Sequence, residues 1–192
     1  MRLRVIVFLF SLVTISSFAQ RQLAQRHRFS VTGGVGWTHY INSLRIGTQS
    51  AIEDHIGGSF KLLWEPEHRL ALGFETGYYQ FYVVERTSPI NAQVVGKAML
   101  SIVPIMINVR CRIVNNFYLS TGTGVALLLS RIEGVGGGID SSQTSLSNFQ
   151  LSGLYLQPIG THWRAGGEFK FLSVDKTEDD CLSLMAVVSF LF

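Results

Sequence analysis

Nine charged side chains fall on one face of their segments when the chain is read at period two. Arg28, Lys61, Arg69, Arg110, Arg112, Arg164 and Lys170 are the bases, and Glu75 and Glu168 the acids. Successive side chains of a strand point to opposite faces, and most of these charges are flanked by apolar residues that therefore point the other way. A charge set opposite an apolar row has two uses. Enclosed, it has to be paired or hydrated, because an isolated buried ion is costly; the set would then form a polar plug with a salt-bridge network. Gathered at an open end, the bases would form a basic vestibule for an acidic partner or an anion. Seven bases against two acids leave both readings standing.

Three other constellations carry weaker chemistry. His39, Ser43, Glu53 and His55 hold a nucleophile, a base and an acid within a short stretch, the parts an ester hydrolase needs, but no G-x-S-x-G elbow accompanies them. Glu178-Asp179-Asp180 clusters carboxylates, the hard oxygen ligands of divalent cations, without EF-hand spacing. Gly122-Thr123-Gly124 lacks the third glycine, the helix and the downstream acid of a dinucleotide site. Glycines facing a crowded interior explain that pair better. The residues point to no enzyme, no cofactor and no metal site.

The elements that position the nine charges are strands. Alternation predicts them at about 27–40, 54–64, 68–85, 97–113, 117–131, 145–157, 161–173 and 181–192. In the first, Phe29, Val31, Val35 and Trp37 share one face against Ser30, Thr32, Gly34, Gly36 and Thr38; in the third, Leu70, Leu72, Phe74, Tyr78 and Tyr82 oppose Glu75. Pro104 requires a bulge or a missing ladder bond. The connections alternate between long (41–53, 86–96, 132–144, 174–180) and short (65–67, 114–116, 158–160). Eight of the thirteen acids fall in or beside the long set: Glu53, Asp54, Glu133, Asp140, Asp175, Glu178, Asp179 and Asp180.

Residues 1–19 read as a secretory signal peptide. Arg2 and Arg4 precede an apolar stretch over 5–15, and Ser17-Phe18-Ala19 is a small-x-small cleavage site. A short lead, 20–26, then enters the domain at 27–192. Removing the leader leaves fourteen Lys and Arg against thirteen Asp and Glu, a balance of +1 that gives no support to nucleic-acid binding. Apolar residues make up 47% of the chain, yet no later apolar run approaches the ~20 residues of a spanning helix. Export with apolar alternation favours closure into a barrel, which spans a bilayer with every backbone group paired. The rival is an exported soluble β-sandwich, with the apolar faces packed on each other. Cys111 and Cys181 fall at opposite ends of their strands and on opposite faces, so no disulfide is expected between them.

The last stretch ends Val188-Ser189-Phe190-Leu191-Phe192. Together with eight strands and the loop rhythm, it resembles the small eight-stranded outer-membrane β-barrel proteins of Gram-negative bacteria. The resemblance implies an all-β, eight-stranded, antiparallel up-and-down transmembrane barrel in the cell outer membrane. It implies that Val188, Phe190 and Phe192 form a terminal signal read by the barrel assembly machinery. The partners expected are outer-membrane lipid and an envelope protein, with a non-enzymatic structural or interaction role, attached to a secretion or envelope complex. A small porin-like transport pore is the alternative, and a lipid-modifying rim enzyme the second.

Overall fold

The computed structural model describes residues 28–41, 45–46, 49–50, 52–66, 69–87, 94–134, 137–175 and 179–192. The predicted signal peptide and the 20–26 lead lie outside the described residues. Eight strands are β1 (Arg28–Tyr40), β2 (Asp54–Glu65), β3 (Leu70–Thr87), β4 (Val94–Val114), β5 (Phe117–Gly134), β6 (Gly137–Pro158), β7 (Trp163–Val174) and β8 (Asp179–Leu191). Each pairs antiparallel with its sequence neighbours, and β1 pairs with β8 to close the barrel. The closing ladder runs from Ser30↔Leu191 to Tyr40↔Cys181 and is finished by reciprocal backbone bonds between Phe29 and Phe192, 2.9 and 3.0 Å. A small ribbon, Arg45–Ile46 with Gln49–Ser50, decorates the β1–β2 connection. Closure rules out the sandwich.

Alternation sorts the faces. Phe74, Ile107, Phe169 and Leu184, from four different strands, are each more than half exposed. A continuous apolar belt of this kind is an aggregation hazard in water and the required surface in lipid. Aromatic side chains gather at the end where the short turns lie: Trp163 packs on Phe190 with ring centroids 4.8 Å apart, Phe117 on Tyr155 at 4.9 Å and Phe29 on Phe192 at 6.1 Å. Such girdles mark the membrane interfaces of barrels. Inside, Tyr40, Phe81, Ile102, Ala126, Leu172 and Met185 belong to one buried apolar cluster. An eight-stranded interior is just wide enough for side chains to fill.

Three expectations need correction. The stretch 132–144 is not a loop: β5 and β6 stay paired to their tip, through Ile132↔Ile139 and Gly134↔Gly137. Its Ser, Thr and Gln residues stand exposed on both faces, so there was no alternation to read. Tyr82 does not point to lipid. A register shift between Gln80 and Tyr82 turns it inward, where its ring lies 5.5 Å from that of Tyr40. The 86–96 connection is also shorter than predicted, because β3 runs on to Thr87 and β4 begins at Val94, and 174–180 shortens to 175–178, whereas 41–53 stands as expected. As expected for Pro104, the β3–β4 ladder breaks off at Thr76↔Ile105 and resumes at Tyr79↔Ile102.

The barrel is lopsided. Strands β3–β6 have 18, 21, 18 and 22 residues, whereas β1, β2, β7 and β8 have 12 or 13. About 9–11 residues cross a membrane. The β6–β7 ladder ends at Asn148↔Val174, so 137–147 of β6 continue past β7. The excess forms a four-stranded flap above the loop end, and Ile52 bonds to Val83 at the flap's β3 edge, 2.8 and 3.1 Å.

Cys111 pairs with Leu70 and Leu119 near the turn end, and Cys181 with Tyr40 and Leu172 near the loop end. Both are free thiols. Non-reducing peptide mapping of the membrane-inserted protein is expected to recover both unlinked, and replacing both by Ala to leave heat-modifiable gel migration unchanged. An intact bond between them would overturn the register.

Candidate functional site

The interior charges assemble in two tiers. In the first, Lys61 of β2 and Glu75 of β3 are register partners, and Glu168 and Lys170 lie two apart on β7. All four are essentially inaccessible to solvent. Lys61 Nζ bonds Glu168 and lies 3.5 Å from Glu75; Lys170 Nζ bonds Glu75 and lies 3.9 Å from Glu168. Glu75 also accepts hydrogen bonds from Asn108 (2.7 Å) and Gln150. Asn108 in turn accepts from Ser120 at 2.6 Å, and Lys170 donates to Tyr79 at 2.8 Å. Two bases and two acids thus alternate around a neutral square.

The second tier lies toward the turn end. Glu65 accepts an ion pair from Arg110, and Arg164 approaches it at 3.5 Å. Arg110 also reaches Ser30 across the lumen at 3.4 Å and lies over the Tyr118 ring at 5.2 Å. Arg112 lies over the same ring at 6.0 Å and donates from Nε to the Asn115 carbonyl. Six predicted lumen residues therefore meet: Lys61, Glu75, Arg110, Arg164, Glu168 and Lys170. Arg28 and Arg69 do not join them and are exposed. They sit at the strand end and in the adjoining turn, where solvent replaces a partner. The buried bases Lys61, Arg110 and Lys170 meet three acids, Glu65 among them, so the excess of bases over acids is confined to the turn end.

Sequence reasoning missed Glu65, Tyr79 and Gln150. Glu65 looked like part of the Glu65-Pro66-Glu67 turn; its spacing of four from Lys61 placed it on the inner face. Tyr79 and Gln150 sit on strands interrupted by register shifts, which blur the alternation. Of the terminal signal residues, Val188 and Phe192 are exposed outward and Phe190 is half-buried between Trp163 and Phe192.

At the outer rim, His39 Nδ1 lies 2.9 Å from Asp54, which also accepts from Trp37 Nε1 at 3.0 Å; the Trp37 and His39 rings stack at 5.5 Å. His55 donates instead to the Ile52 carbonyl at 3.0 Å, and Glu53 contributes its backbone oxygen to Tyr40 N. Ser43 lies outside the described residues. Of the acidic triplet, Glu178 is outside the described residues, while Asp179 is buried and accepts from Tyr40 Oη. Among the described residues no group of three His, Cys, Asp or Glu is placed to hold a metal ion.

Closed eight-stranded topology, a lipid-facing apolar belt and a filled polar interior define an integral outer-membrane β-barrel. Known structures share this fold. The attachment invasion locus protein Ail of Yersinia pestis, in complex with the heparin analogue sucrose octasulfate, superposes with a TM-score of 0.57 at 12% identity, over 87% of this chain and 99% of that one. A major outer membrane protein from Thermus thermophilus gives 0.53 at 11%, over 86% and 99%. No protein-family model matches the chain, and no curated protein matches it in sequence. The likeness is one of fold.

Proposed function

We propose that this barrel is a non-enzymatic interaction protein of the cell envelope. It takes an extended, basic segment of another polypeptide onto the outer edge of its flap. The observation that carries the reading is the β6 edge. Over 138–143 the side of β6 facing away from β5 has no strand beside it among the described residues. Unpaired backbone groups on a strand edge are a template for an added strand. The usual guards are absent: 137–147 contain no Lys and no Pro, and Asp140 is the only charge. An acidic excess sets the partner's sign: Asp54, Glu85, Glu133 and Asp140 are partly or fully exposed at this end, against Lys97, which pairs with Glu85, and Arg131, which lies between Glu133 and Asp140. The same acidity disfavours a polysulfate such as the ligand in the Ail structure. The solvent-inaccessible, neutral square across the lumen argues against the pore.

A photo-crosslinking residue at Gln143 is expected to trap a polypeptide in whole cells, whereas one at Gly160, in a turn at the opposite end, is not. Lysines at Ser141 and Gln143, which blunt the edge, should abolish trapping from a crosslinker at Ser142 without altering barrel migration. Equal adducts at both ends, adducts of lipid alone or of the barrel with itself, or stable ion conductance in a planar bilayer would overturn the reading.

A further inference from the structure

We propose that the turn-end mouth of the lumen binds a phosphate-class anion. Four arginines from three strands gather at this end: Arg110 and Arg164 meet the Glu65 carboxylate, while Arg28 is exposed and Arg112 partly exposed beside them. Arg28 is the register partner of Glu65, Arg110 and Arg164 pair with it, and Arg112 stands two residues beyond Arg110 on the same face. Glu65 neutralises one of the four. The tier differs in this from the square above it, which is neutral within itself.

Arg110 supplies the second, independent observation. It is 2% exposed, and its Nη1 is buried without a hydrogen-bond partner, although its Nη2 serves both Glu65 and Ser30. A buried guanidinium nitrogen needs an acceptor. Arg112 is held by Nε and by the Tyr118 face and stays partly exposed. Guanidinium forks match the oxygens of phosphate in pairs. A phosphate oxyanion would offset part of the excess charge that Glu65 leaves. Short turns lie on the periplasmic side of outer-membrane barrels, so the site opens inward, away from the flap, and does not depend on what the flap binds. Two sources share this chemistry: a soluble phosphate and the headgroup of a phospholipid in the inner leaflet.

The test uses the folded protein in neutral maltoside micelles, titrated with inorganic phosphate at constant ionic strength and followed by arginine Nε resonances. Saturable shifts are expected at Arg110, Arg112 and Arg164, with none at Arg131 on the flap. The R28Q/R112Q variant, which spares the buried Arg110–Glu65 pair, should keep its heat-modifiable migration and bind about tenfold more weakly. If lysophosphatidylglycerol moves the same resonances at lower concentration than phosphate, a headgroup is the source; if phosphate is the stronger, a soluble anion is. No saturable shift, identical shifts with chloride, or unchanged affinity in R28Q/R112Q would overturn the proposal.

Discussion

Replacing Glu75 with Gln is expected to destabilise the barrel by about 3–5 kcal/mol, the cost of leaving buried charge without its partner. Glu75 is the hub of the upper tier, with Lys61, Lys170, Asn108 and Gln150 all directed at it. Glutamine keeps the size and some hydrogen bonds but leaves two buried ammonium groups to Glu168 alone. Urea unfolding of lipid-embedded protein would read the loss through tryptophan fluorescence, since Trp37, Trp64 and Trp163 all face outward and are exposed. The E75Q/K170Q pair restores neutrality and should recover part of the loss. A change below about 1 kcal/mol, the scale of a solvated ion pair, would mean that the square is hydrated rather than dry.

Gly166→Val is expected to cost about 3 kcal/mol or more, because overpacking against backbone has no rotamer to yield. A Cβ at Gly166 would lie 1.7 Å from the Tyr155 carbonyl oxygen and 2.8 Å from its carbon. Strand β7 would have to leave β6 at its Leu156↔Gly166 pair. Gly33→Val provides the control, since a Cβ there meets nothing within 4 Å. Refolding yield, read as the heat-modifiable band, should collapse for Gly166→Val and hold for Gly33→Val. Equal yields would show that the sheet relaxes at Gly166 and that the close approach constrains nothing.

Much of the architecture was legible because a membrane barrel writes period two on both faces at once. Phe169 and Phe171 against Glu168 and Lys170 could be read without any partner strand. Legibility failed where that physics lapses. Above the rim both faces meet water, so 137–144 carried no alternation and looked like loop. At the Gln80–Tyr82 shift the chain changes phase, so unbroken period two points Tyr82 to the wrong face. Charges on the inner face were recognised individually, but their partners lie on distant strands. Period two indicates a side of the sheet; the barrel's closure decides that Lys61 meets Glu168.

The upper tier also bears on assembly. Lys61 and Glu75 arrive together on β2 and β3, and Glu168 and Lys170 arrive together on β7, 107 and 95 residues later than the partners they bond. Each instalment is neutral by itself, so an unfinished sheet exposes a dipole rather than a naked charge to the lipid and water around it. The two dipoles can cancel only when β2–β3 and β7 stand in one closed wall, whichever piece is placed first. A wall that lacks either piece leaves the other dipole without its counterions, so the seam and the square are completed by the same closure.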